Sequence, residues 1–178
     1  MMLIKKITDQ DIFGGTFELM EKVSRYASRG VLIDDQLNAA MMYMSEPNLY
    51  KLPGGGIEAD ETREEALLRE IKEETGYEAE IIYDLGYIEE HKNRNNFMQI
   101  SYCFVAKARK RVGSVKLSDS EKELGMIVNW MPVEKALEMM NKSLSACNDY
   151  SNKFMVYRDK TILEIAAGEL MKSKRDIF

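Results

Sequence analysis

Apolar and polar positions alternate along several short stretches of the chain, and each alternation stops at a cluster of turn-forming residues. Residues 2–7 alternate weakly and read as an edge strand, after which Gly14-Gly15 breaks the chain. Two apolar stretches follow, Phe17 to Val23 and Gly30 to Ile33. Asp34-Asp35-Gln36 separates two β-prone runs and so reads as a hairpin turn, with Leu37 to Met44 as the returning strand. Glu46-Pro47-Asn48 ends that strand, and Leu49 to Leu52 forms a short one running into Pro53. The pattern then changes to a glycine triplet, Gly54-Gly55-Gly56, and a charged stretch. Thr62 followed by Glu65 fits a capping box, and Gly76 fits the position that ends a helix in the left-handed conformation, so a helix is predicted at 63–75. Residues 79–90 and 97–108 have strand character, joined by a polar loop from His91 to Asn96. Residues 125–131 read as a further strand, and Pro132 suits the first turn of a helix reaching about Met140. A last amphipathic helix, near 155–172, places Ile162, Ile165, Ala166 and Leu170 on one side.

Strands, one charged helix, more strands and two further helices imply an α+β domain, a mixed sheet with helices on both faces. A chain of 178 residues suits one such domain, and no repeat or linker divides it. The 25 basic and 30 acidic residues give a net charge of −5, which argues against a nucleic-acid polymer or an anionic membrane as partner. Cys103 and Cys147 are too few for a disulfide framework and form no CxxC, and one histidine, His91, leaves no imidazole metal cluster. The N-terminus turns polar at Thr8-Asp9-Gln10-Asp11, without the apolar core of a secretory signal, and no run is long enough to span a bilayer. A cytoplasmic protein is the expectation.

The charged helix carries the chemistry. At about 100° per residue, Glu73 lies about 60° to one side of Glu70 and Glu74 about 40° to the other. Ala66 and Leu67 fall in the same arc, so these carboxylates point toward the protein body. Like charges at this spacing oppose helix formation by about 0.2–0.5 kcal/mol per pair, and a bound divalent cation reverses that sign. Carboxylate oxygens suit Mg²⁺ or Mn²⁺, and the preceding glycines let backbone approach an ion or a phosphate closely. Together these parts describe metal-assisted attack of water on a phosphoanhydride. Taken without the glycine loop, Glu-Lys-Glu-Glu on a helix is an ordinary solvated face.

Loop and helix together resemble the Nudix box. Gly55, Glu61, Arg69, Glu70, Ile71, Glu73, Glu74, Gly76 and Tyr77 fill its fixed places. The resemblance implies the Nudix fold, an α/β/α sandwich around a mixed β-sheet, over about residues 24–172. The whole chain, 1–178, then reads as one domain with an N-terminal extension (1–24), the box (55–77) and a C-terminal helix (155–172). It further implies that Glu70, Glu73 and Glu74 bind catalytic Mg²⁺ or Mn²⁺ with the carbonyl of Gly55, and that Arg69 braces the loop by pairing with Glu61. Asp60 departs from relatives that carry glycine before that glutamate. Family members take the general base either from the box or from a later loop. The second option points to Glu121 or Glu123, with Glu123 carried among the catalytic candidates.

Lys51 enters the glycine loop, and Arg25 and Arg29 share one strand face, so all three are candidates to meet substrate phosphates. Tyr50, Phe97 and Tyr102 suit either base stacking or core packing, and His91 and Arg94 lie in a loop that covers the site or is simply solvated. The implied activity is divalent-metal-dependent hydrolysis of a nucleoside diphosphate linked to another moiety. The alternative is a non-catalytic nucleotide-binding or sensing module on the same fold, which usually shows an eroded box. Isomerisation of an isoprenoid diphosphate, which relatives perform with a cysteine and a glutamate, finds no matching context around Cys103. Partners are a small nucleotide-type substrate and, as is common in the family, a second copy in a homodimer.

Overall fold

In the computed structural model, which describes residues 1–175, the alternating segments become eight strands and five helices. They follow one another as β1 (Leu3–Ile7), α1 (Asp9–Phe13), β2 (Arg25–Ile33), β3 (Asn38–Met44), β4 (Leu49–Lys51), β5 (Gly54–Gly56), α2 (Arg63–Thr75), β6 (Tyr77–Lys92), β7 (Phe97–Arg111), α3 (Asp119–Glu123), β8 (Met126–Pro132), α4 (Val133–Ala146) and α5 (Tyr150–Arg175). The last three residues of the expected domain, 176–178, lie outside the described residues.

The sheet is mixed. Strand order is β1-β6-β7-β2-β3-β4, with β8 on β3 and β5 on β2. β1 runs parallel to β6 and β2 parallel to β7, while the β6–β7 and β3–β8 pairs are antiparallel. The β2–β3 hairpin pairs at its turn, Ile33 opposite Ala39, and then opens like a fork. The following chain fills the fork: β4 pairs with β3 at Met42–Met44, and β5 pairs with β2 at Ala27–Arg29. The two residues between, Leu52 and Pro53, carry it from one prong to the other, and Gly30 N–H donates to the Pro53 carbonyl at 3.1 Å.

Hydrophobic alternation places the layers. On one face α2 lays Leu67 and Ile71 against Leu32, Phe104 and Ala106. On the other, α4 and α5 cover Val31, Met41, Ile88 and Val105 with Met140, Phe154, Ile162 and Ala166. The outcome is the expected α/β/α layering.

Several expectations change. His91 and Lys92 belong to β6 and are buried rather than looped, because β6 and β7 form one long hairpin whose turn is confined to Asn93–Asn96. The apolar run at 17–23 forms no element; Phe17 and Leu19 are exposed, and the segment is tied down where Met20 N–H donates to His91 Nδ1 at 3.0 Å. The acidic stretch after Ser118 is a short helix capped by that serine. α4 and α5 are longer than their apolar stripes indicate. Within the first 24 residues β1 extends the sheet edge, as the alternation at 2–7 indicates, and Ile7 is fully buried.

Candidate functional site

Helix α2 starts where the Thr62 side chain accepts from Glu65 N–H and the Glu65 carboxylate accepts from Thr62 N–H. It stops at Gly76, left-handed at φ 76°. The apolar stripe Ala66, Leu67 and Ile71 fixes its rotation, and that rotation turns Glu70 and Glu74 toward the glycine strand β5. A Cβ on Gly55 would overlap the Glu70 carboxylate, so only glycine permits this approach.

An open cleft of about 530 Å³ lies between β5, α2 and the start of α3. One carboxylate oxygen from each of Glu70, Glu74 and Glu121 lies within 4.8 Å of the others. Three hard oxygen donors at this separation, beside a glycine backbone, fit a divalent ion of the Mg²⁺ or Mn²⁺ type. Glu73 lies on the lip of the cleft, outside that cluster, with its Oε2 3.2 Å from Arg69 Nη1. Glu121 supplies the carboxylate from beyond the central strands, brought in by the Ser118 cap, where its Oε2 accepts Ser118 N–H at 2.8 Å. Glu123, two residues on, is exposed and does not line the cleft.

Arg69 is the brace. Its Nε and Nη2 donate to the two oxygens of Glu61 at 2.7 and 3.1 Å, Nη2 also reaches the Gly56 carbonyl at 3.0 Å, and Nη1 donates to Glu70 at 2.9 Å. The contact with the guanidinium holds the Glu61 carboxyl below the usual range, despite partial burial. Glu61 precedes the cap residue, so a turn rather than helical spacing aligns it. Asp60 makes that turn with φ 64°, a conformation that glycine adopts freely and that aspartate tolerates.

Lys51 does not face solvent. Its ammonium lies 2.6 Å from Glu74 Oε1, while Glu74 Oε2 accepts Gly54 N–H at 2.9 Å. Burial pushes the Glu74 carboxyl up, against the pull of both contacts. Arg25 and Arg29 both line the cleft; Arg25 is exposed, whereas Arg29 is buried and donates from Nη1 to the Gly54 carbonyl. Tyr50 and Tyr102 pack at the two cores, and Phe97 covers Lys92. Arg94 lies against the stacked pair of Phe13 and Tyr150, and Cys103 is buried, with burial pushing its thiol far up.

The sequence reading missed a buried ionic group behind the glycine loop. Asp159 Oδ2 accepts Leu52 N–H at 2.9 Å, and Arg158 bridges Asp159 (2.7 Å) and Glu90 (3.0 Å). A signal was present: Arg158 lies four residues from both Phe154 and Ile162, inside the apolar stripe of α5, where a charge needs a buried partner.

A family model described as the NUDIX domain matches residues 25–147. The chain is 31% identical over 93 residues to Nudix hydrolase 5 of Arabidopsis thaliana, covering 52% of this chain but only 30% of that protein. It is 26% identical over 123 residues to a putative 8-oxo-dGTP diphosphatase of Bacillus subtilis, covering 68% of this chain and 76% of the relative. Among solved structures, a Nudix-family hydrolase from Clostridium perfringens superposes with a TM-score of 0.52 at 16% identity, over 80% of this chain and 97% of that one. A UDP-X diphosphatase superposes with a TM-score of 0.55 at 17% identity, over 85% and 66%. At such identities the structures speak for the fold alone.

Proposed function

Because the chain belongs to the Nudix family, we propose that it is a divalent-metal-dependent pyrophosphohydrolase, cleaving a nucleoside diphosphate linked to another moiety. The observation that carries this reading is the meeting of the Glu70, Glu74 and Glu121 carboxylates beside a glycine strand with no side chain to fill the gap. Glu70, Glu74 and the Gly55 carbonyl would hold Mg²⁺ or Mn²⁺, with the Glu121 carboxylate beside them. A divalent ion there supplies neutralisation of the diphosphate charge and a lower pKa for bound water.

The chain's own groups do the remainder. Arg69 fixes Glu70 by one guanidinium nitrogen and the β5 backbone by another, so the carboxylates and the substrate rail keep one geometry. Lys51 and Gly54 N–H hold Glu74 in a single orientation. Glu121, whose placement depends on its Ser118 cap, is the proposed acceptor of the proton from the attacking water. The water oxygen bonds to phosphorus as the bridging P–O bond breaks, and Arg25 and Arg29 face the anionic part of the substrate.

The test is product analysis, by phosphate release and mass, over a panel of nucleoside triphosphates, dinucleotides and nucleotide sugars with Mg²⁺ or Mn²⁺. At least one member should turn over, and Glu70→Gln should lower kcat by about 100-fold or more. No turnover on the panel would overturn the reading. Nucleotide binding without turnover, unchanged in Glu70→Gln and Glu74→Gln, would favour the non-catalytic module instead.

A further inference from the structure

Among the described residues, seven charged side chains are buried: four cations, Arg29, Lys51, Lys92 and Arg158, against three anions, Glu74, Glu90 and Asp159. Three of the cations are matched. Lys51 sits 2.6 Å from Glu74, Lys92 3.3 Å from Glu90, and Arg158 lies 2.7 Å from Asp159 and 3.0 Å from Glu90. Arg29 is the remainder. Among the described residues it makes no ion pair, its Nη1 reaches only a neutral carbonyl, and its Nε has no partner, although the residue is 7% exposed. Burial and the neighbouring Arg158 push its pKa down to about 10, against the pull of the more distant Asp159 and Glu74 carboxylates. Buried charges are normally paired, and a guanidinium left unpaired beside an open cleft is a group prepared for an anion.

Its place on the wall identifies which part of the substrate the anion would be. Along β5, Gly55 abuts the Glu70 carboxylate on the metal side. Its neighbours reach the other side as well: Gly54, whose N–H donates to Glu74, gives its carbonyl to Arg29, and a Cβ on Gly56 would come 2.9 Å from Arg25 Nη2. Arg25 and Arg29 are four residues apart on one strand and line the same cleft, whose walls include no aromatic side chain among the described residues. The metal-side carboxylates serve the linkage to be cut; the guanidinium side needs a charge of its own.

We propose that Arg29 is a preformed receptor, assisted by Arg25, for a phosphoryl group one unit removed from the linkage to be cut. The favoured substrate class is then a triphosphate chain rather than a diphosphate ending in a neutral sugar. The assignment of the linkage rests on the hydrolase reading above, whereas the receptor is tested without metal or turnover.

Binding of inorganic tripolyphosphate, ATP and ADP-ribose to the full chain is measured in EDTA by calorimetry, beside the melting temperature without ligand. The wild type should bind tripolyphosphate and ATP at least 10-fold more tightly than ADP-ribose. Arg29→Met should weaken tripolyphosphate at least 10-fold and erase the preference for ATP, while melting within two degrees of the wild type or above it. Arg111→Met, which removes an exposed charge outside the cleft, should change neither. Equal affinity for ATP and ADP-ribose in the wild type, retained tripolyphosphate binding in Arg29→Met, an equal loss in Arg111→Met, or a melting temperature several degrees lower in Arg29→Met would each overturn the proposal. The last result would make Arg29 a structural arginine. Absence of turnover in the metal-loaded panel would remove the hydrolase reading and leave this binding comparison intact.

Discussion

Two positions that line the cleft answer to different physics, and single substitutions separate them. At Gly55 the constraint is space. Gly55→Ala should leave the fold intact by circular dichroism but weaken Mn²⁺ binding, read by electron paramagnetic resonance, about 10-fold or more, because the new methyl displaces the Glu70 carboxylate. At Lys51 the constraint is charge. Lys51→Met strands the buried Glu74 carboxylate and should destabilise the protein by about 3–5 kcal/mol at pH 8 in urea melts. Burial raises the Glu74 pKa in the native state, so the folded variant takes up a proton more readily than the unfolded chain. The deficit should therefore shrink as pH falls from 8 toward 5, and a pH-independent deficit would show that Glu74 is not the group responsible. Sequence made Gly55 legible because its neighbours at fixed spacing are diagnostic. It could not show that Lys51 is an internal partner, since pairing with a residue 23 positions away depends on how the fork is filled.

At the scale of elements, α2 was legible nearly to the residue, because its signals are local: a threonine–glutamate box at one end and a left-handed glycine at the other. Thr62→Ala should cost about 1 kcal/mol of stability in urea melts, with a larger effect signalling a role beyond the cap. The early part of α5 was not legible. Between Tyr150 and Ile162 its inward face carries Arg158 and Asp159 as well as Phe154, so the apolar count falls even though the face is buried. Asp159→Ala frees the buried Leu52 N–H and unpairs Arg158 on one side. It should destabilise the protein by about 3–5 kcal/mol and speed hydrogen exchange of the Leu52 amide; an unchanged amide would refute the coupling of α5 to the glycine loop. The β6–β7 turn was misplaced for a related reason. His91 and Lys92 look like loop residues, but their polar atoms meet Glu89 and Glu90 inside the hairpin.

For the molecule as a whole, acid should act on the same ionic group. Burial alone would raise the Glu90 carboxyl, yet chiefly Arg158 and Lys92, its two ion-pair partners, outweigh it and hold it below the usual range, as Arg69 does for Glu61. Depressed carboxyls bind fewer protons in the native state than in the unfolded one. Their stabilisation is present above an unfolded glutamate pKa of about 4.3 and is lost as pH falls below it, so melting temperatures should drop steeply under about pH 4. The fork between β2 and β3 adds a mechanical consequence. A single length of backbone is stitched to one prong as β4 and to the other as β5, and the glycines that line the cleft are the second half of that stitch. Any breathing motion that spreads the prongs must unpick the glycines from β2 or the preceding residues from β3, so the edge that lines the cleft doubles as the seam along which the sheet would first come apart.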